Sequence, residues 1–207
     1  MTKILPIVLQ PHDSLTRVAE PAGGATPKVL AVLENMLATL YRADGVGLAA
    51  PQVDVNQRLV VIDLGGEDAE GKRDFSIKNP LLMINPEITW RSGETKIHQE
   101  GCLSLPGLWA DVERPDRVRF AYTDRDGQRV ESEAEGLLSV CVQHEVDHLD
   151  GVLFTERLSR LKRDLSLKKW AKLRRELLEN GGNFDTFAAE RGIIPAAGGH
   201  EGRWERQ

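Results

Sequence analysis

A chain of 207 residues is long enough to bury a substantial hydrophobic core without disulfides or other cross-links. Its 32 acidic residues exceed its 27 basic ones, and the formal charge of −5 argues against wholesale binding to nucleic acid or to an anionic membrane. No apolar run approaches the roughly 18 residues that a bilayer requires, so no segment is expected to span a membrane.

The two cysteines, Cys102 and Cys141, are predicted to be reduced. The first ten residues are interrupted by Lys3 and Pro6 and lack the apolar core of a secretory signal, which favours a cytoplasmic protein. In a reducing compartment, an isolated cysteine is more often a metal ligand or a core residue than half of a disulfide. We therefore expect a cytoplasmic protein with no disulfide.

The N-terminal 25 residues are rich in proline and glycine and indicate an extended arm with turns, which a helix follows. Thr26 is a typical N-cap, and Pro27 suits the first helical position. Apolar residues then recur at helical spacing and predict a buried stripe of Val29, Leu33, Met36, Leu37 and Leu40.

Residues 45–52 read Gly-Val-Gly-Leu-Ala-Ala-Pro-Gln and formally satisfy the dinucleotide fingerprint G-x-G-x-x-[GA]. We reject that interpretation because a helix precedes the segment where the fingerprint needs a strand, and Pro51 follows where it needs a helix. Two glycines flanking Val46 favour a backbone that a peptide can approach closely. A simple helix-to-strand turn is the alternative.

Short segments rich in β-branched residues and separated by tight turns predict antiparallel sheets. The predicted strands cover residues 58–64, 81–85, 87–90, 118–123 and 128–133, with an exposed loop at 65–80 and a hairpin turn at 124–127. Residues 100–104, which read Glu-Gly-Cys-Leu-Ser, are predicted to form a loop between strands.

The stretch from residue 141 to residue 151 contains the pattern H-E-x-x-H at His144, Glu145 and His148. On a helix the two histidines lie on one face about 6 Å apart along the axis, close enough to hold one divalent ion. Glu145 leaves the helix roughly 100° round from His144, where it can act as a general base beside the metal. The apolar residues around the pattern predict a buried helix that begins between residues 132 and 137 and ends at Gly151.

A catalytic site of this type needs a third protein ligand and leaves one position open. Cys141 faces the same way as the histidines, but it lies about 10 Å along the axis from His148, so one ion could hardly reach all three. Cys102 can be brought to the metal from another element, and we favour it as the third ligand. Cys141 would then belong to the core or to the pocket wall.

A final helix is predicted over residues 159–180, with an apolar stripe at Leu161, Leu165, Trp170, Leu173 and Leu177. Residues 160–180 hold eight basic and three acidic residues, a charge of +5 that leaves −10 on the rest of the chain. This charge indicates either a solvated face or a surface that docks on an anionic partner. With the other two helices and the sheets, it predicts an α+β fold in which antiparallel sheets surround the central helix.

Three separated segments together resemble the peptide deformylase family. Its motifs G-φ-G-φ-A-A-x-Q, E-G-C-L-S and Q-H-E-x-D-H-L-x-G match residues 45–52, 100–104 and 143–151, in order and without a gap. The resemblance covers roughly residues 1–165. It implies an enzyme that removes the formyl group from N-formylmethionine of newly made proteins and releases formate. It also implies Fe²⁺ as the metal, although the ligand types would equally accept Zn²⁺, Ni²⁺ or Co²⁺.

The resemblance implies a role for each matching residue. Glu145 would be the catalytic acid and base, and Gln52 and the backbone N–H of Leu103 would stabilise the oxyanion. The metal ligands would be Cys102, His144 and His148. The methionine side chain would be surrounded by Val46, Glu100, Leu137, Val140 and Cys141, and the peptide backbone would pair as an added strand with Val46, Gly47 and Gly101.

The chain departs from the family pattern at Trp109, in the 65–80 loop and in the tail. We expect one catalytic domain over residues 1–180, followed by an extension at 181–207 that is partly disordered. Two other functions stay open. One is a metallopeptidase that uses the same H-E-x-x-H chemistry, and the other is a noncatalytic, ribosome-associated protein whose metal is structural. The cysteine ligand speaks against the first, and structural sites usually have four protein ligands.

Overall fold

A computed structural model describes residues 2–179 and contains three α-helices and nine strands in that part of the chain. The helices are α1 (Pro27–Arg42), α2 (Gly136–Leu149) and α3 (Arg160–Glu179). The strands are β1 (Gly47–Ala49), β2 (Leu59–Ile62), β3 (Gly66–Glu67), β4 (Arg73–Asp74), β5 (Leu81–Arg91), β6 (Thr95–Cys102), β7 (Leu105–Pro115), β8 (Arg117–Thr123) and β9 (Arg129–Glu135). The predicted extension at 181–207 lies outside the described residues.

All strand pairs of the three sheets are antiparallel, which confirms the predicted α+β class. The largest sheet has the order β1-β2-β5-β8-β9, while β3 with β4 and β6 with β7 form separate two-stranded sheets. Within residues 2–179, no helix combines the length and the apolar character needed to cross a bilayer.

Helix α1 begins where the sequence predicts, because the hydroxyl of Thr26 accepts a hydrogen bond from the backbone N–H of Val29 and Pro27 occupies the first turn. Its apolar stripe packs on β1, β2 and the first half of β5. Four residues of the predicted stripe are buried, while Leu37 is only partly buried.

Helix α2 is the enclosed element of the fold, since every residue from 139 to 149 is buried. Val142, Val146 and Leu149 pack on the inner face of the five-stranded sheet. The helix ends before Gly151, whose φ is +73°. A Cβ at Gly151 would also lie 2.7 Å from the carbonyl oxygen of Thr16, so only glycine fits this turn.

Three strand predictions were wrong. Residues 81–91 form one strand, because a bulge at Asn85, with φ of +52°, accommodates the proline that indicated a break. The 65–80 loop contains the short β3–β4 hairpin. Strands β6 and β7 were missed because β6 is largely polar and exposed and β7 contains Pro106 and Gly107, so Cys102 lies at a strand end and not in a loop.

The prediction of which face of α3 is buried was wrong for the first half of the helix. Trp170 and Leu177 are buried, but Leu161 and Leu165 are 70% and 58% exposed. Leu165 precedes Trp170 by five residues, which is about 140° around a helix axis, so the two cannot lie on the same face. The residues that continue the buried face are the partly buried Ser166 and Leu167.

Candidate active site

The structure brings the three candidate metal ligands together from two elements. Cys102 ends β6, and His144 and His148 lie one turn apart on α2. One side-chain donor atom from each lies within 4.8 Å of the other two, and the Cys102 Sγ is 3.2 Å from the His148 Nε2. Cys141 lies outside this group.

This group fits a divalent metal ion by its chemistry. One thiol and two imidazoles are donors that iron, zinc, nickel and cobalt all accept. Within residues 2–179, the group contains these three donors and no fourth His, Cys, Asp or Glu. Three protein donors are typical of a catalytic site, where a position stays open for water or substrate.

The orientation of His144 is fixed by Glu100. The His144 Nδ1 lies 2.8 Å from the Glu100 carboxylate, which leaves Nε2 for the metal. Burial alone would raise the pKa of Glu100, but hydrogen bonds from His144 and Arg114 outweigh it and lower the pKa to about 2. Glu100 was expected beside the methionine side chain. That placement stays a prediction, and in the structure both carboxylate oxygens of Glu100 bind Arg114 or His144.

Arg114 connects this carboxylate to a second one. Its guanidinium donates to Glu100 and, through Nη1, to Asp147 at 2.8 Å, while Arg157 also donates to Asp147. Arg114, Glu100 and Asp147 are all buried. Sequence reasoning missed the roles of Arg114 and Asp147. Asp147 could have been found as the acidic residue inside the H-E-x-x-H segment, whereas nothing in the sequence around Arg114 distinguishes it from a surface arginine.

The surroundings of the two histidines shift their pKa values in opposite directions. Burial, followed by repulsion from His144, lowers the pKa of His148, so its imidazole is neutral and able to bind a metal. For His144, burial would lower the pKa, but hydrogen bonds with Cys102 and Glu100 raise it. A metal ion needs deprotonated donor atoms on both imidazoles and on the thiol, so metal affinity should fall at acidic pH.

Glu145 is buried beside the metal group, the name used below for Cys102, His144 and His148. Burial raises the pKa of its carboxyl to about 7, although the positive charge of His144 partly opposes the shift. Within the described residues its Oε2 has no hydrogen-bond partner. A carboxyl with this pKa can both accept and return a proton near neutral pH.

Gly47 on β1 leaves the room that Glu145 occupies. A Cβ added at Gly47 would overlap the Glu145 carboxylate. We expect Gly47→Ala to displace that carboxylate and to lower kcat on the order of 10²-fold. Steady-state kinetics of Gly47→Ala against Gly93→Ala would test this, because Gly93 lies in a turn where an added Cβ meets no atom within 4 Å. Equal kcat values for the two variants would contradict this role of Gly47.

The Gln52 side chain is buried and held at both ends. Its Oε1 accepts a hydrogen bond from the backbone N–H of Ala49 at 2.8 Å, so its amide NH₂ points the other way. The Nε2 lies 3.4 Å from both the Cys102 Sγ and the Ser104 Oγ. The donor end of Gln52 is thus directed at the metal group, where an oxyanion would form.

The residues expected to bind the peptide lie at β1, at the end of β6 and on α2. β1 is an edge of the five-stranded sheet, so Gly47 can offer backbone to an added strand, whereas the carbonyl of Val46, just before β1, accepts from the Asp63 N–H at 2.9 Å. On the other side, the Trp109 indole packs on Gly101, where a Cβ would lie 2.8 Å from the ring. Of the apolar pocket residues, Val46, Leu137 and Cys141 share one cluster, and Val140 is buried one position before Cys141.

A buried helix that presents H-E-x-x-H beside a cysteine from a strand end, on an α+β fold, defines a metal-dependent hydrolase. Comparison with known proteins narrows this class. The family model described as polypeptide deformylase matches residues 4–164. The peptide deformylase of Alkalilimnicola ehrlichii is 49% identical over 173 residues, which cover 84% of this chain and 92% of that protein.

Solved structures of peptide deformylases also resemble this chain. A peptide deformylase from Legionella pneumophila has a TM-score of 0.73 and 38% identity, over 84% of this chain and 98% of that one. A second, from Synechococcus elongatus in complex with actinonin, has a TM-score of 0.70 and 40% identity, over 81% and 86% of the two chains. The chain belongs to the polypeptide deformylase family.

Proposed function

We propose that this chain hydrolyses the formamide of N-formylmethionine at the start of newly made peptides and releases formate. The observation that carries the proposal is the convergence of Cys102, His144 and His148 beside the buried Glu145 in a member of this family. Such a reaction needs a general base near neutral pH and a donor for the oxyanion, and the chain offers both in one place.

Cys102, His144 and His148 would hold the metal ion. When bound, the ion would act as a Lewis acid and lower the pKa of water. We propose Fe²⁺ as the native metal from the family resemblance, with Zn²⁺, Ni²⁺ or Co²⁺ able to replace it, because the ligand types do not discriminate among these ions.

The side chains divide the remaining work. Glu145 takes a proton from water and returns it to the departing amine, because an amine is a poor leaving group until it is protonated. The Gln52 amide and the Leu103 backbone N–H donate to the formyl oxygen as negative charge develops there. Burial of Gln52 and Glu145 keeps these interactions in a low-dielectric setting where they are stronger than in water.

The substrate would bind as an extended strand. Its backbone pairs with Val46 and Gly47 on one side and with Gly101 on the other, which is the β-augmentation mode of peptide recognition. The methionine side chain would enter the apolar pocket formed by Val46, Leu137, Val140 and Cys141. Burial raises the pKa of the Cys141 thiol, so this pocket wall is uncharged at neutral pH.

Turnover of matched peptides by anaerobically prepared protein of assayed metal content tests the function. We expect formyl-Met-Ala to be deformylated, while an unblocked peptide and an internal peptide bond stay intact. Turnover should disappear when a chelator removes the metal and return when Fe²⁺ is added. Cleavage of the internal bond would instead indicate the metallopeptidase, and an inert, metal-loaded protein would indicate the noncatalytic alternative.

The oxyanion role of Gln52 can be tested separately. Gln52→Met keeps the side-chain length but removes the donor, and we expect kcat to fall about 10²- to 10³-fold with little change in KM. Gln99→Met, at an exposed position on β6, is the matched control and should behave as wild type. Comparable kcat values for wild type and Gln52→Met would exclude this role.

We also propose that residues 1–180 form one catalytic domain, which acts in the cytoplasm, where nascent chains are made.

We further propose that α3 docks on the ribosome. The support is the surface of α3, on which the exposed Leu161 and Leu165 lie among basic residues. An anionic partner such as ribosomal RNA would attract this charge. A plain solvated face is the alternative, and it predicts no salt-dependent binding to purified ribosomes.

A further inference from the structure

The N-terminal arm joins the two segments that flank the metal group. The backbone N–H of Val8 donates to the carbonyl of Gln52 at 2.9 Å, and that of Gln10 donates to the carbonyl of Ser104 at 3.0 Å. Farther along the arm, the Ser14 hydroxyl donates to the carbonyl of Pro51 at 2.9 Å. One extended segment therefore fixes the spacing between the backbones at residues 52 and 104.

Helix α3 holds the arm from its other side. The Trp170 Nε1–H donates to the Gln10 carbonyl at 2.9 Å, and the indole is 2% exposed. The ring packs in a cluster with Leu105 and Phe154, and Phe154 stacks on His144 with ring centroids 6.0 Å apart. Trp170 lies beyond residue 164, where the family match ends.

We propose that Trp170 is a positioning residue for Gln52. Its N–H fixes the Gln10 carbonyl, the Gln10 N–H fixes the Ser104 backbone, and the arm fixes the Gln52 backbone through Val8. The Gln52 amide, which lies 3.4 Å from the Ser104 hydroxyl, is placed by both of these backbones. The inference rests on the proposed role of Gln52, because a loosely held donor loses much of its effect on a developing oxyanion.

The simpler interpretation is that Trp170 only fills the core. The variant Trp170→Phe distinguishes core filling from the positioning role. Phenylalanine keeps an aromatic ring in the cluster but removes the N–H donor that reaches Gln10. We expect kcat for formyl-Met-Ala to fall about tenfold, with KM changed less than about twofold, because the methionine pocket and β1 make no use of this hydrogen bond.

A double variant shows whether the effect passes through Gln52. In the Gln52→Met background the donor is already absent, so Trp170→Phe should lower kcat no further. Leu177→Ala is the control for core damage, since Leu177 is buried on the same helix and is not part of the Gln10 contact. It should lower the melting temperature and leave kcat of the folded enzyme unchanged.

A wild-type kcat in Trp170→Phe, or an equal fold-loss in the Gln52→Met and wild-type backgrounds, would overturn the positioning role. So would a fall in kcat of the same size in Leu177→Ala. Failure of the proposed function is distinguishable from these outcomes, because wild-type protein would then not deformylate the peptide or Gln52→Met would retain full kcat.

Discussion

Replacing Glu145 with glutamine is expected to lower kcat for a formylated peptide by about 10² to 10⁴-fold while metal content stays at the wild-type level. Glutamine has the same shape but cannot take a proton from water and return it to the amine. Steady-state kinetics with metal assayed in the same sample measure the effect. Glu156→Gln, at an exposed position after α2, is the control. Full turnover by a fully metal-loaded Glu145→Gln enzyme would rule out the acid–base role.

Although Glu145→Gln should lower kcat, it should raise the stability of the metal-free protein at neutral pH. Burial raises the pKa of Glu145 from 4.5 to about 7, so the folded metal-free protein favours the protonated carboxyl, and ionisation costs stability as pH rises between these values. Glu145→Gln removes this cost. The metal-free variant should therefore unfold at higher denaturant concentration than wild type above about pH 7, and the difference should vanish below about pH 4.5.

Replacing Arg114 with methionine is expected to destabilise the protein by about 3 to 5 kcal/mol at neutral pH. The change leaves Glu100 buried without its arginine partner and removes one of the two arginines that bind Asp147. Denaturant unfolding at pH 7 measures the loss. Because Glu100 also orients His144, metal affinity should fall about 10- to 100-fold as well.

The exposed pair Arg119 and Glu133 gives the matched control. Their side chains are 62% and 45% exposed, so Arg119→Met should cost no more than about 1 kcal/mol. The pKa of Glu100 is lowered from 4.5 to about 2, so its ionised form stabilises the fold above about pH 4.5, and that contribution is lost as pH falls toward 2. The difference between wild type and Arg114→Met should shrink over that range. Equal losses for Arg114→Met and Arg119→Met would contradict a structural role for the buried network.

Local signals gave correct predictions where one short stretch determines the structure. Thr26 and Pro27 fixed the start of α1, and the periodic apolar residues around His144 and His148 fixed α2 as a buried helix. Cys102 was favoured as the third ligand by elimination, since Cys141 could hardly reach the same ion from one straight helix. The structure brings Cys102 to the histidines as that reasoning required.

Predictions failed where distant residues decide the outcome. Strand β6 is polar because much of it faces solvent, and its pairing with β7 supplies the hydrogen bonds that no local pattern reveals. The ion pair between Glu100 and Arg114 was missed because nothing in the sequence indicates that the two residues lie close together. On α3, the arm and β7 select which helix face is buried, so Leu161 and Leu165 were misplaced.

The shortness of β1 limits how many residues of a peptide could pair with it. Three residues of strand span about 10 Å, so in the proposed binding mode β1 would pair with only the opening residues of an extended peptide. A terminus that has already packed into its own protein cannot reach so short an edge. If peptides bind in this proposed mode, removal of the formyl group would compete with folding of the substrate, and proteins that bury their first residues early should keep the group most often.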